Sequence, residues 1–530
     1  MELLSSSPFS AATVCVLSVI VAVIPLWAVK MVNTLWLRPK RLEKLLRAQG
    51  LHGDPYSLSP STSNQNQSEV QQQKPDSESF ALSDDVAPRL STSLYYTIAK
   101  YGKKSFFWEG RTPKVIISEP NQIKEVFNNI HNLHKPKLSG NAKFLMNGLL
   151  SYEGEKWAKH RRIINPAFHL EKFKNMIPAF SQSCYDMISM WEGMLSSDGK
   201  CEIDVFPFLQ NLSRDAISRT AFGSSYAEGE KIFQLLKMQG YLVMMTAKYN
   251  NIPILRYLPT AINKKMRAVD KDIHDSIEVI IKKKEKAMKN GETCNEDLLS
   301  ILLESNKMET QGHGNGTSAG MTYEEVIGEC KLFYLAGQET TSSLLVWAMI
   351  FLSRYPEWQA RAREEVLHVF GNQTPKFDGL SQLKVVTMVI YEVLRLYPPT
   401  IFFNRTLQKD MNLGNLSLPA GVKVALPIFL LHQDGDIWGD DAKEFNPQRF
   451  SEGIAKATKG QLSFYPFGWG PRICIGQNFA LLEAKIVLSL LLQNFSFELS
   501  PNYKHAPTAV LSLQPKHGAP IVLHKLQNPS

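Results

Sequence analysis

Phe467-Gly468-Trp469-Gly470-Pro471-Arg472-Ile473-Cys474-Ile475-Gly476 stands near the carboxyl end of a 530-residue chain. A single cysteine sits there in a glycine-rich loop, two residues after an arginine, and an apolar helical pattern from Phe479 to Leu492 follows at once. A thiolate that ligates a metal needs positive charge, or the metal itself, to keep the proton off sulfur. It also needs backbone N–H groups turned toward the sulfur, because such hydrogen bonds tune a metal centre. Gly468, Gly470 and Gly476 are able to supply the backbone angles that turn peptides inward and let a flat ligand approach. The helix that follows directs its positive end at Cys474.

Other stretches carry chemistry of their own. Trp157 and Arg161 lie four apart in a helical pattern and share a face. Met321 to Ser353 reads as one long helix, entered through Thr322 with Glu325 three residues on, a capping-box spacing. Its middle is Ala336-Gly337-Gln338-Glu339-Thr340-Thr341. Small residues there let something flat pass close. A threonine that bonds back to a carbonyl one turn earlier loosens the helical ladder, as a local widening would. An acid beside a hydroxyl relays protons. Glu392 and Arg395 share a helix face, and Arg449 follows in Phe445-Asn446-Pro447-Gln448-Arg449-Phe450.

Taken with the cysteine loop, these motifs resemble the cytochrome P450 superfamily. Phe467, Gly470, Arg472, Cys474 and Gly476 match its haem-binding loop at every fixed position. The resemblance implies a mainly α fold, a large helical domain plus a small β-rich lobe, over roughly residues 90 to 526. It implies haem b with Cys474 as the iron's thiolate ligand, and Trp157, Arg161 and Arg405 at the haem propionates, with His432 a second candidate for that task. It implies an oxygen-activation role for Thr340 and Glu339, and a Glu392–Arg395–Arg449 clamp behind the loop. Gln448 stands where many relatives carry an acid. The reaction implied is monooxygenation with O2 and two electrons. No nicotinamide or flavin fingerprint is present, so the electrons come from a partner, NADPH–cytochrome P450 reductase.

Composition is that of an ordinary globular protein, 44% hydrophobic and 21% charged. The six cysteines are scattered, without disulfide-framework or metal-ligand spacing, which suits a reducing compartment. A net charge of +9 without basic blocks interleaved with aromatics points to lipid or an acidic partner and not to nucleic acid. Phe9 to Val29 is apolar and uncharged, and Lys30, Arg38, Lys40 and Arg41 follow it. That order reads as an uncleaved transmembrane anchor with the body on the cytosolic face of the endoplasmic reticulum. The expected division is residues 1–32 as anchor, 33–89 as a basic helix on the membrane surface followed by a polar loop, and 90–530 as the catalytic domain. Gln311 to Ala319 reads as a Gly-rich break.

Finer text narrows the resemblance. Trp36-Leu37-Arg38-Pro39-Lys40, His160 to Phe168 and Gln477-Asn478-Phe479-Ala480 look like the plant clan of secologanin synthase, gibberellin oxidases and triterpenoid oxidases. Gly453 to Gly460 and Leu513 to Leu526 look like legume oleanane-triterpenoid oxidases. The implied substrate is β-amyrin or 11-oxo-β-amyrin, oxidised at the C-30 methyl in saponin synthesis. A gibberellin or an iridoid such as loganin is the alternative. Leu335, Ala336, Thr400, Phe402 and Val510 are the expected substrate contacts. Rival classes are a haem-thiolate isomerase or dehydratase, and a non-enzymatic haem sensor or sterol carrier.

Overall fold

The computed structural model describes residues 23–58, 85–138, 140–223, 226–246, 258–291, 297–312 and 320–526. The long helix runs Tyr323–Arg354 and starts where the sequence places it. The Thr322 hydroxyl accepts from the Glu325 N–H at 3.2 Å, and the Glu325 carboxylate accepts from the Thr322 N–H at 3.0 Å. Both ends of the capping box are therefore made, and two otherwise unpaired N–H groups are satisfied. Most of this helix is buried on every side, so it forms a rod through the core and not an amphipathic surface helix. Val205–Phe222, Ala261–Lys289, Lys384–Leu396 and Gln477–Asn494 pack around it.

A second lobe is built on a five-stranded sheet in the order Phe106–Glu109, Thr112–Ile116, Lys423–Leu426, Phe403–Leu407, Leu133–His134. The first pair is an antiparallel hairpin around Gly110. Thr112–Ile116 then pairs in parallel with Lys423–Leu426, a contact between distant parts of the chain. Phe106, Val115, Val424 and Leu426 form a core separate from that of the helices. A three-stranded sheet, Lys200–Asp204, Pro520–Lys525 and Phe495–Leu499, ties the carboxyl end back to the middle of the chain.

Several expectations shift. The basic amphipathic pattern forms the helix Arg38–Ala48, but Leu42 and Leu46 are buried in the sheet lobe, so that face is taken by protein and not by lipid. Most of the apolar run Phe9 to Val29 lies outside the described residues. From residue 23 the backbone is helical, and Val23, Ile24, Leu26, Trp27 and Val29 are exposed. Among the described residues no helix is long and apolar enough to cross a membrane. The polar stretch between 59 and 84 is likewise outside them, and Ala87–Leu90 is helical, so a boundary at 89 falls inside a helical turn. Gln311 and Gly312 still belong to the helix Leu298–Gly312, and 313–319 are outside the described residues.

Candidate active site around Cys474

The cysteine loop is folded by its own backbone. The Cys474 N–H donates to the Phe467 carbonyl at 2.9 Å, and Gly468 N–H donates to Tyr465 at 2.9 Å. Gly470 has φ +71°, and a Cβ there would stand 2.7 Å from Asn128 Oδ1 and 3.0 Å from the Phe127 carbonyl, so only glycine fits. Gly476 differs from the expectation, since its φ of −88° is ordinary. What its missing side chain leaves free is the space beside the sulfur, because a Cβ would lie 4.0 Å from Cys474 Sγ. Cys474 lies deep in the fold, yet its surface is open, so it faces an internal space and not the outer surface. Burial pushes its thiol pKa up, and the Gly476 N–H, Arg161 and Lys135 pull it down without prevailing. A bound metal ion is what would remove that proton outright.

Positive charge collects on one side of this space. Arg161, on the helix Gly154–Ile164, donates to the Ile473 carbonyl at 2.9 Å. Arg472 stacks on the buried Trp157 ring at 4.5 Å, donates to the Tyr152 carbonyl at 2.9 Å and pairs with Glu153. Arg405 is buried, donates to the Asn404 carbonyl at 2.8 Å, and has no carboxylate in ion-pair reach among the described residues. Burial and then Arg472 depress its pKa to about 10. Lys135 was not expected here. Its ammonium donates to the Leu150 carbonyl at 2.9 Å, and burial, then Arg405 and Arg472, push its pKa down to about 7. No motif marks this lysine in the sequence, and burial beside two arginines is what singles it out. Arg162, the neighbour of Arg161, points outward to Glu309.

Three cations, Arg472, Arg405 and Lys135, thus share one carboxylate, Glu153, with Arg161 beside Cys474, and Arg472 Nη1 is buried without a partner among the described residues. Unpaired buried cations are costly unless an anion joins them. A flat group with two carboxylates and a metal that takes a thiolate fits this donor set. The residues present therefore fit haem.

Behind the loop, Glu392 and Arg395 are both 0% exposed and make two hydrogen bonds, at 2.7 and 2.8 Å. Arg395 also donates to the carbonyls of His432 and Glu444, at 2.6 and 3.0 Å. Arg449 Nε stands 3.6 Å from Glu392 and its Nη2 pairs with Asp441 at 2.7 Å. The three clamp residues meet. His432 belongs with them and not with the basic cluster. Its Nε2 accepts from the Tyr465 N–H at 3.1 Å, and burial, then Arg395, push its pKa down to about 3.

The long helix supplies the other wall. Within an otherwise buried rod, Ala336 is exposed and Gly337, Glu339 and Thr340 are partly open. The Thr340 hydroxyl donates to the Ala336 carbonyl at 2.8 Å, the bond expected, but the helix stays α throughout and does not widen. Gly337 also packs against a neighbouring helix, which its sequence does not announce. A Cβ there would stand 2.9 Å from Ile217 Cδ1, so close helix packing also favours a residue without a side chain at this point. Phe168 joins the two walls, with its ring 5.8 Å from that of Phe333 on the long helix and its edge 3.7 Å from where a Gly476 Cβ would stand.

Burial raises the pKa of Glu339, opposed by the Gln338 amide, Arg214, Ser512 and Lys237. Ser512 is the other residue that sequence reasoning missed. Its hydroxyl lies 3.1 Å from the Glu339 carbonyl and 3.4 Å from Glu339 Oε2, across 173 positions of chain. Thr400 is half-buried, Phe402 and Val510 are exposed, and Leu335 is packed in the core. The Leu513 N–H donates to the Pro399 carbonyl at 3.1 Å, so the segment after Pro399 lies beside the hairpin of Pro507–Ala509 and Leu513–Pro515. A cavity of about 550 Å³ opens elsewhere, between Phe222, Lys231, Val279 and Lys283, and contains none of these residues.

Comparison with known proteins adds to this geometry. The family profile described as Cytochrome P450 matches residues 88–520. The chain is 66% identical over 512 residues to the 11-oxo-beta-amyrin 30-oxidase of Glycyrrhiza uralensis, covering 96% of this chain and 98% of that protein. It is 65% identical over 515 residues to the protein of the same description from Medicago truncatula, covering 97% and 98%. A third relative, cytochrome P450 72A15 of Arabidopsis thaliana, is 48% identical over 96% of this chain and 98% of its own.

Proposed function

The chain belongs to the cytochrome P450 family, and from that premise we propose that it oxidises the C-30 methyl of an oleanane triterpene, 11-oxo-β-amyrin or β-amyrin, in saponin synthesis. As a member of the family it is a haem-thiolate monooxygenase that uses O2 and reductase-derived electrons. The observation that carries the substrate is identity of 66% and 65%, over nearly the whole chain, to two proteins named for oxidation of 11-oxo-beta-amyrin. The exposed side chains of Ala336, Phe402 and Val510 agree with it, because a rigid polycycle needs apolar walls with few polar groups.

Haem, when bound, supplies the oxygen activation, with a thiolate that pushes electron density toward the iron and favours O–O cleavage. Cys474 would be its ligand, and Arg161, Arg405, Arg472 and Lys135 would hold its two carboxylates, with Trp157 fixing the Arg472 plane. The Glu392–Arg395–Arg449 clamp holds the chain behind the loop in one arrangement. Thr340 presents a hydroxyl at the open face of the long helix, and Glu339 is the acid that restores its proton. Burial favours the protonated form of Glu339, which is the form that donates. Phe402, Val510 and Ala336 orient the substrate, and a shift of about 1 Å would bring a different carbon forward.

Residues 9–29 are the proposed anchor in the endoplasmic reticulum membrane, followed by the linking segment to residue 89 and the catalytic domain from residue 90. The basic surface around the cysteine loop is the proposed docking face for the reductase. Co-expression with a reductase in a host that makes β-amyrin and 11-oxo-β-amyrin tests the reading. A C-30 alcohol, aldehyde or acid that disappears with Cys474→Ala is the expected result. A product oxidised at another carbon would overturn the position, and turnover of a gibberellin or iridoid alone would overturn the substrate.

A further inference from the structure

We infer that Ser512 is a latch that holds the carboxyl of Glu339 against the carboxyl-terminal hairpin until a substrate displaces it, so that occupancy of the pocket controls proton supply. The inference rests on the proposed role of Glu339 and deepens it. Ser512 is 2% exposed, and its hydroxyl faces two oxygens of the same residue, the Glu339 carbonyl at 3.1 Å and Oε2 at 3.4 Å. A hydroxyl has one proton to give and lone pairs to accept. It gives that proton to the Glu339 carbonyl and shares it with Glu339 Oε2, so one hydroxyl holds both the backbone and the side chain of the acid. The Thr340 hydroxyl meanwhile bonds the Ala336 carbonyl, and no hydrogen bond joins it to Glu339. The acid and the alcohol are therefore held apart.

The hairpin is shaped as a lever. The Leu513 carbonyl, next to Ser512, accepts from Ser343 and, at 2.8 Å, from the Trp347 indole. Both donors are on the long helix, so the second strand of the hairpin is pinned there at Leu513, where the turn ends. Its tip is open, with Val510 43% exposed. A bound molecule that presses on Val510 moves Ser512 before it moves Leu513. Once released, the Glu339 carboxyl in its protonated form turns toward Thr340, and its O–H bond breaks as the proton passes to the Thr340 oxygen or an intervening water, which gives up its own proton onward into the pocket. The carboxylate left behind takes its next proton from solvent. Arg214 and Lys237, on the two helices packed against this point, face the same carboxylate, and Gln338 bonds it from its own helix.

The test uses the full-length haem protein with its reductase and 11-oxo-β-amyrin as the probe. Without the probe, the latch limits wasteful reduction of O2 by two electrons and two protons to hydrogen peroxide. Loss of one hydrogen bond of ordinary strength corresponds to about a fivefold change. Ser512→Ala is expected to keep the carbon-monoxide spectrum and raise substrate-free peroxide about fivefold. It should also shrink the solvent deuterium effect on product formation, while Ser512→Thr restores both. If Ser512→Ala fails to fold, Ser512→Cys, a weaker donor, should give an intermediate peroxide yield. Peroxide and isotope effect equal to wild type in Ser512→Ala or Ser512→Cys overturn the latch. Glu339→Gln separates the two readings. If it slows product formation while the Ser512 variants behave as wild type, only the latch falls, and if it changes nothing, the proton-relay reading falls and takes the latch with it.

Discussion

On the clamp side of Cys474, Arg395 donates to Glu392, His432, Ala442 and Glu444, all from a fully buried position. On the facing helix, Thr340 makes one hydrogen bond, to a carbonyl of its own turn. The first region spends side chains on being immovable, and the second leaves them open to whatever is bound. The difference follows from what each must do. A metal ligand has to stay within tenths of an ångström, so the chain behind it is over-determined. A wall that admits substrate, oxygen and protons must have surfaces that touch little until the site is filled.

Variants on each side should therefore fail in different ways. The largest effect is expected from Cys474→Ala, which should abolish both product and the red-shifted carbon-monoxide band of thiolate-bound haem, and a retained band would break the assignment. Next comes Arg395→Ala. It strips the buried Glu392 of its two closest charged hydrogen bonds and leaves only Arg449 at 3.6 Å and the Asn446 N–H, a loss of about 3 kcal/mol, the lower end for a broken buried pair, and thermal unfolding of the holoprotein should show it as lost stability before any effect on chemistry is measurable. Thr340→Ala should do the reverse. The carbon-monoxide band and stability should be kept while product formation falls about 100-fold, the lower end for a lost proton-transfer group. If Thr340→Ala unfolds the protein instead, the contrast between the two sides is wrong.

The smallest effect belongs to Lys135→Met, read as haem loss to an excess of a competing haem-binding protein. In the protein without haem, burial and the neighbouring arginines bring Lys135 to about 7, well below an ordinary lysine. Pairing with a carboxylate raises that value, so the bound state holds more protons than the free state above about pH 7. Haem affinity should then decline as pH rises above 7, and Lys135→Met should flatten that slope along with a several-fold weaker affinity near pH 7. An unchanged slope would remove Lys135 from the haem site.

Much of the site was legible because its residues lie close together in the chain. Trp157 and Arg161 share one helix, Glu392 and Arg395 share another, and the cysteine loop is a single run of ten residues folded by its own backbone bonds. Lys135 and Ser512 were not legible. Each has a common side chain without a motif, and each matters only through partners that folding brings near, Arg405 and Arg472 for one and Glu339 for the other. Gly337 was legible as a small residue, but its packing against Ile217 was not, since Ile217 comes from a different helix.

By itself the sequence determined the helical framework, the capped start of the long helix at Thr322, the cysteine loop and the family to which the chain belongs. Those features depend on periodicity, caps and turn residues, which act over a few positions of chain. Tertiary structure alone decided that the helix Arg38–Ala48 lays Leu42 and Leu46 on the sheet lobe, that three cations gather around Glu153, and that Ser512 reaches Glu339. Such contacts close loops of tens to hundreds of residues, and nothing in a local window of sequence records which distant side chain will arrive.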